Sequence, residues 1–124
     1  MAEISVTGIN YNKLYQNVAS WIVAYWDDDI EKLPVRLKPE PVDKEDFKDP
    51  YAIKVMVYIE KCQRWACIGW VSAKPVDGVK PNKVIHELLK EKRIKRAVLT
   101  EVEKSYDAEQ GKVFYYAYLG IVEK

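Results

Sequence analysis

The stretch Ile53-Lys54-Val55-Met56-Val57-Tyr58-Ile59 restricts this chain more than any other. Apolar residues at 53, 55, 57 and 59 alternate with Lys54, Met56 and Tyr58. Successive side chains of an extended chain point to opposite faces, so the pattern predicts a half-buried strand. Pro50 has no N–H to give to a sheet ladder and marks the strand's entrance. Asp49 therefore falls at the rim of a sheet, where a carboxylate can meet a group from solvent. Residues 65–71 return after a turn near 61–63. The expectation is an antiparallel pairing of 51–59 with 65–71 that buries Ile53, Val55 and Val57.

The rest of the chain supplies the partners of that hairpin. Ile4 and Val6 begin a first strand, with Gly8 at a bulge or tight exit. From Lys13 to Trp26, Leu14, Val18, Trp21, Ile22 and Tyr25 suit the buried stripe of an amphipathic helix, although Trp21–Trp26 also fits a strand. The cluster Asp27-Asp28-Asp29 ends this segment. Val35 and Leu37 mark a short second strand that Pro39 and Pro41 terminate, and residues 42–48 read as an exposed polar loop. Pro81 suits the first turn of a helix whose stripe is Val84, Ile85, Leu88 and Leu89. Two strands close the chain, 97–102 and 113–122, around a polar loop at 105–111. About six strands with one or two helices, and no alternation of strand and helix, predict a small, partly closed, mostly antiparallel barrel of the α+β kind. With 124 residues, one domain over 1–124 is expected, burying roughly two-thirds of the surface of the unfolded chain.

Composition narrows the function. A net charge of +1 gives no bulk attraction to nucleic acid or membrane. The charge is uneven, however. Residues 27–49 are mainly acidic, whereas Lys80, Lys83, Lys90, Lys92, Arg93, Lys95 and Arg96 outweigh Glu87 and Glu91. That basic run is either a solvated helix face or a phosphate-binding patch. Cys62 and Cys67, with one histidine in the chain, do not make a zinc site. No apolar run approaches the ~20 residues of a membrane span, and no signal peptide precedes the first strand. A reduced, cytoplasmic protein that meets no membrane is expected.

No nucleophile with a base, no phosphate-cradling glycine loop and no cofactor or metal spacing is visible, so an enzyme is the weaker class. His86, among Lys83, Glu87 and Lys90, reads as a surface or boundary residue, and the triple aspartate as a solvated turn. The unusual feature is the aromatic load of nine tyrosines and four tryptophans. Tyr11, Trp70, Phe114, Tyr116 and Tyr118 either fill and cover the barrel or present flat faces beside cations. Aromatic faces in a basic groove bind single strands at ~1–3 kcal/mol per stacked base.

The order of these segments resembles a known family. Val6-Thr7-Gly8-Ile9-Asn10-Tyr11 is similar to the first strand and turn of HIRAN domains. Val35-Arg36-Leu37-Lys38-Pro39-Glu40-Pro41 resembles their strand ending in an Arg-Glu-Pro-like turn. Asp49-Pro50-Tyr51-Ala52-Ile53-Lys54-Val55 resembles their Asp-x-Asn-Ala-Ile-x-Val signature, and Ile68-Gly69-Trp70-Val71 the return strand Ile-Gly-Tyr-Val. The helix at 82–92 and two closing strands match the remaining order. HIRAN domains are OB-like barrels, found alone in prokaryotes and their viruses and fused to fork-remodelling helicases in eukaryotes. In those helicases they capture single-stranded DNA at a free 3′ end. The resemblance implies that Asp49 accepts the terminal hydroxyl, that Tyr11 stacks on the terminal bases, and that Phe114 contributes from the last strand. Asn10 and Asn12 stand where a basic residue and a second aromatic usually flank Tyr11. Asp46-Phe47-Lys48 replaces the family's Asn-Pro-Tyr, Tyr51 replaces its asparagine, and the connection at 12–33 is longer. Lys48 is then placed to meet a phosphate.

The expected function is non-catalytic binding of single-stranded DNA in repair or replication, with a helicase or nuclease acting in trans. Asp49 and Tyr11 are expected to face one shallow groove with Phe114 near its wall, and Lys90, Lys92, Arg93, Lys95 and Arg96 to attract phosphates without reading bases. The alternative is a protein-interaction module using exposed aromatics and the acidic turn at 27–31.

Overall fold

A computed structural model describes residues 3–26 and 28–124. In chain order these form β1 (Ile4–Thr7), α1 (Lys13–Tyr25), β2 (Val35–Pro39), β3 (Val42–Asp43), β4 (Lys48–Asp49), β5 (Ile53–Ile59), β6 (Arg64–Val71), α2 (Pro81–Lys90), β7 (Ile94–Asp107) and β8 (Lys112–Glu123). Six strands make one antiparallel sheet in the order β2-β5-β6-β1-β8-β7. The sheet curls into a half-barrel whose edge strands β2 and β7 approach each other. The fold is the mostly β, small OB-like α+β architecture that the sequence predicts.

The anchor strand behaves as its alternation requires. Ile53, Val55 and Val57 are fully buried, each worth roughly 1.5–3 kcal/mol of hydrophobic stabilisation. β5 pairs antiparallel with β6, Lys54 opposite Trp70 and Tyr58 opposite Trp65. A bulge between Val55 and Met56 shifts the register, and Ile68 and Gly69 are both buried. Gly69 is required there: a Cβ would sit 2.6 Å from the Thr7 carbonyl oxygen and 2.8 Å from Val6 Cγ1. β1 packs against β6 only because that side chain is missing.

α1 runs from Lys13 through Tyr25, so Trp21–Tyr25 is helical rather than extended. Its N-terminus is capped by Asn12, whose side-chain oxygen accepts from the backbone N–H groups of Leu14 (2.9 Å) and Tyr15 (3.3 Å). The buried face is Val18, Ala19 and Ile22, while Leu14 and Tyr25 are 72% and 76% exposed. The expected stripe is thus rotated. The small Ala19 lets the helix approach β6, β7 and β8 closely, and the larger residues at 14 and 25 fall outside that contact. Asp28 and Asp29 follow in a turn that leads into a 3₁₀ turn at Ile30–Lys32. Asp27, the first of the predicted acidic cluster, lies outside the described residues.

Two expected loops are partly strand. Residues 42–48 form most of the β3–β4 hairpin, closed by reciprocal backbone bonds between Lys44 and Phe47 (2.9 and 3.3 Å). The loop expected at 105–111 shrinks to 108–111, because β7 runs on to Asp107 and β8 starts at Lys112. The Asp107 carboxylate caps this turn by accepting from Glu109 and Gln110 N–H, and Gly111 takes the left-handed φ of +63°. Glu103 and Lys104 on the extension of β7 are exposed, so no apolar alternation announced that part of the strand.

Candidate nucleic-acid interface

Asp49 is built into the fold rather than free at a rim. Its Oδ1 accepts from the backbone N–H of Tyr51 (3.0 Å), closing a turn at Pro50. Its Oδ2 accepts from the side-chain amide of Asn82 (3.1 Å), which is 1% exposed in the first turn of α2. The Asn82 backbone N–H in turn donates to the Ser72 carbonyl (3.1 Å). A buried amide thus fixes the carboxylate from behind. It lines a groove of about 310 Å³ with Thr7, Lys44, Phe47 and Trp70. Phe47 is 57% exposed there, and Trp70 is partly exposed with the Lys54 ammonium 5.4 Å from its ring centre.

Tyr11 and Phe114 line a different groove, of about 480 Å³, with Asn10, Asp107 and Lys112. Asp49 does not reach it, so the structure divides the trio expected in one pocket. The physical reason is Gly8. Its φ of +85° turns the chain away from β1, and the 3₁₀ turn at Ile9–Tyr11 carries Tyr11 toward β8 instead of β4. Tyr11 is 96% exposed.

Asn10 and Asn12 are occupied by structural work. Asn10 donates its amide to the Tyr115 carbonyl and accepts from the Tyr115 N–H, both at 2.8 Å. It thereby continues the β1–β8 ladder beyond the last backbone pair, Ile4–Val6 with Leu119–Ala117. Asn12 caps α1 as described. Tyr51 packs edge-on against His86, ring centres 5.3 Å apart, and under Lys83 at 5.6 Å. It lines a third groove with Lys80 and Lys83. His86 Nδ1 and Asn82 Oδ1, one helical turn apart, are buried without a protein hydrogen-bond partner among the described residues.

The basic candidates sit elsewhere. At 1.5 Å rise per residue, the C-terminal end of α2 at Lys90 lies about 12 Å along the helix from Asn82. Arg93 contacts Glu91 (3.4 Å) and Glu123 (3.5 Å). Lys95 and Arg96 are exposed where β7 begins, at a register shift between Ile94 and Arg96. Lys48 is exposed and paired with Asp43 at 3.6 Å.

Three residues near Asp49 were not singled out from sequence. Phe47 is the one aromatic in the charged stretch 42–49, a signal that was present. Asn82 lies three residues before the buried Ile85, on the same helical face. Lys44 carried no signal. One further cluster adjoins Trp70. The Lys54 ammonium lies 2.6 Å from the Glu40 carboxylate. That hydrogen bond holds Glu40 below the usual carboxylate range and Lys54 above the usual lysine range. Burial raises the Cys67 thiol beside them, which donates to the Gly69 carbonyl at 3.3 Å, and burial likewise raises the Tyr15 hydroxyl.

No helix among the described residues is long and apolar enough to cross a membrane. No family model, curated protein or solved structure matches this chain.

Proposed function

We propose that this chain is a HIRAN-like barrel that binds single-stranded DNA without catalysis and takes a free 3′ end into the Asp49 groove. One observation carries the reading: an anchored carboxylate stands in a groove with two aromatic faces, Phe47 and Trp70. A carboxylate offers about four acceptor sites, and the bonds to Tyr51 and Asn82 use two of them. The remainder can accept a terminal hydroxyl, a charge-assisted bond worth roughly 1.5–3 kcal/mol. The same charge repels a terminal phosphate. Phe47 and Trp70 take the stacking role that the family resemblance implies for Tyr11, and Lys44 supplies a cation beside them.

The test compares the parent with Asp49→Asn on oligonucleotides ending in a 3′-hydroxyl or a 3′-phosphate, with melting followed in parallel. The parent should prefer the hydroxyl by roughly ten- to a hundredfold, the equivalent of that bond. The variant should lose the preference while remaining folded. Equal binding of both ends by the parent defeats the proposal. Affinity should also fall steeply with salt.

A protein-interaction module is the second reading. The observation favouring it is the exposed apolar group near the turn that closes the β7–β8 ribbon, where Tyr11, Val113 and Phe114 share a groove. A partner protein there would show little salt dependence, and Tyr11→Ala would abolish its binding without changing the response to DNA ends.

A further inference from the structure

The outer face of β2, β5 and β6 has a composition unlike the rest of the barrel. Residues paired across strands share a face, so the registers place Arg36 beside Met56, Lys38 beside Lys54, Lys54 beside Trp70, and Tyr58 beside Trp65. Arg36 and Lys38 are exposed, and Lys54, Tyr58, Trp65 and Trp70 all keep contact with solvent. The Arg36 guanidinium lies 4.5 Å above the Trp65 ring, and Tyr58 meets Trp65 edge-on at 5.4 Å. Arg36 and Lys38 have no carboxylate partner among the described residues. Lys54 is the one paired cation of the face.

The opposite flank of the same sheet has the reverse charge. There Glu101 pairs with Tyr118 and Glu103 with Tyr116. Burial and these two glutamates raise the Tyr116 hydroxyl above its ordinary value. A polyanion is therefore repelled from the Glu101–Glu103 segment of β7 and attracted to β2–β5–β6.

Trp70 belongs to both the basic face and the Asp49 groove. We infer that β2, β5 and β6 form a track along which the single strand held at Asp49 continues. Its phosphates lie along Arg36 and Lys38, and a base further from the end stacks at Trp65. The inference rests on the proposed end-binding function and extends it to the length and direction of the bound strand. From Lys54 to Tyr58 the track runs four strand residues, about 13 Å. Together with the groove it accommodates a site at the lower end of the about 4–16 nucleotides typical of one OB barrel.

The experiment measures binding of hydroxyl-ended thymidine oligonucleotides, dT2 and dT8, to the parent, to Lys38→Glu and to the double variant Arg36→Glu, Lys38→Glu. Both positions are exposed, and thermal melting checks that the fold survives. The track predicts that the parent binds dT8 at least tenfold more tightly than dT2. The double variant should lose that gain while binding dT2 within twofold of the parent and keeping the 3′-hydroxyl preference. Its salt slope on dT8 should flatten by about 1.4, the share of two phosphate contacts on a single strand. Lys38→Glu alone should fall between the two. If the parent binds dT2 and dT8 equally, or the double variant still binds dT8 like the parent, the track is refuted while end capture at Asp49 stands. Failure of the parent to bind either oligonucleotide refutes both, and the basic aromatic face is then a surface for another class of partner.

Discussion

Asn82→Asp tests how Asp49 is held. The substitution puts a second carboxylate where an amide now donates to Asp49 Oδ2 at 3.1 Å, at a position 1% exposed. Two like charges about 3 Å apart repel by about 5 kcal/mol at an effective dielectric constant of 20. Holding a proton on one of them at pH 7, from an ordinary aspartate pKa of about 3.9, costs about 4 kcal/mol. The second route is cheaper, so the native variant takes up a proton and loses about 4 kcal/mol of stability at pH 7. The sign follows from linkage. The folded pair has a pKa above the unfolded value, so its stability is fully present below about pH 4 and falls as pH rises toward the folded pKa. Urea unfolding of parent and variant at pH 4, 5.5 and 7 reads this directly. The gap should be near zero or favourable at pH 4 and widest at pH 7. Asn82→Ala provides the comparison: it removes the bond at a cost of about 1–3 kcal/mol and leaves the gap nearly flat with pH. A pH-independent gap for Asn82→Asp means that residue 82 does not face the Asp49 carboxylate, and the anchored-acceptor argument falls.

Other perturbations probe other parts of the fold. Val55→Asp should prevent folding, because an unpaired charge in the fully buried row of β5 costs several kcal/mol; a cooperative native-like melt would contradict the burial of that row. Asn10→Ala should cost about 1–3 kcal/mol by orphaning the Tyr115 N–H and C=O, and should speed amide exchange at Tyr115 selectively; unchanged exchange there would show that the clip carries no load. Iodoacetamide at pH 8 should alkylate the exposed Cys62 before Cys67, whose thiolate burial disfavours, and equal rates in the native protein would contradict that burial. Because the Cys67 value is raised, its share of stability is present below the ordinary thiol pKa and declines as pH rises past it.

Strong alternation was legible wherever one face of a strand met the core. Ile53, Val55 and Val57 were read from sequence as the buried row and are buried. Pro81 opens a helix, and Gly8 ends a strand, because each has a backbone constraint that acts locally. What could not be read is the work of long-range hydrogen bonds. Asn10 reaches Tyr115 across 105 positions of the chain and Asp49 reaches Asn82 across 33. Neither pairing leaves a periodic trace. The far half of β7, residues 103–107, was hidden for a related reason, since an exposed strand has no apolar face to alternate. The division between the Asp49 and Tyr11 grooves depends on the direction in which the chain leaves Gly8. The glycine permits that turn but does not encode its direction.

Turn-capping and acceptance of a terminal hydroxyl are often treated as rival explanations of an aspartate before a strand. At Asp49 they are coupled. An unrestrained carboxylate on a surface loses rotamer freedom when it binds, and that loss is subtracted from the bond it makes. Here the Tyr51 N–H and the buried Asn82 amide have already fixed the carboxylate plane, so its unused acceptor sites are held in one orientation before any ligand arrives. A loss of stability in an Asp49 variant therefore does not distinguish the two roles, because the bonds that stabilise the turn are those that orient the acceptor. Only the chemistry of the end presented to the groove separates them. A hydroxyl gains from a fixed anion and a phosphate is repelled by it, whereas a residue that only caps a turn is indifferent to both.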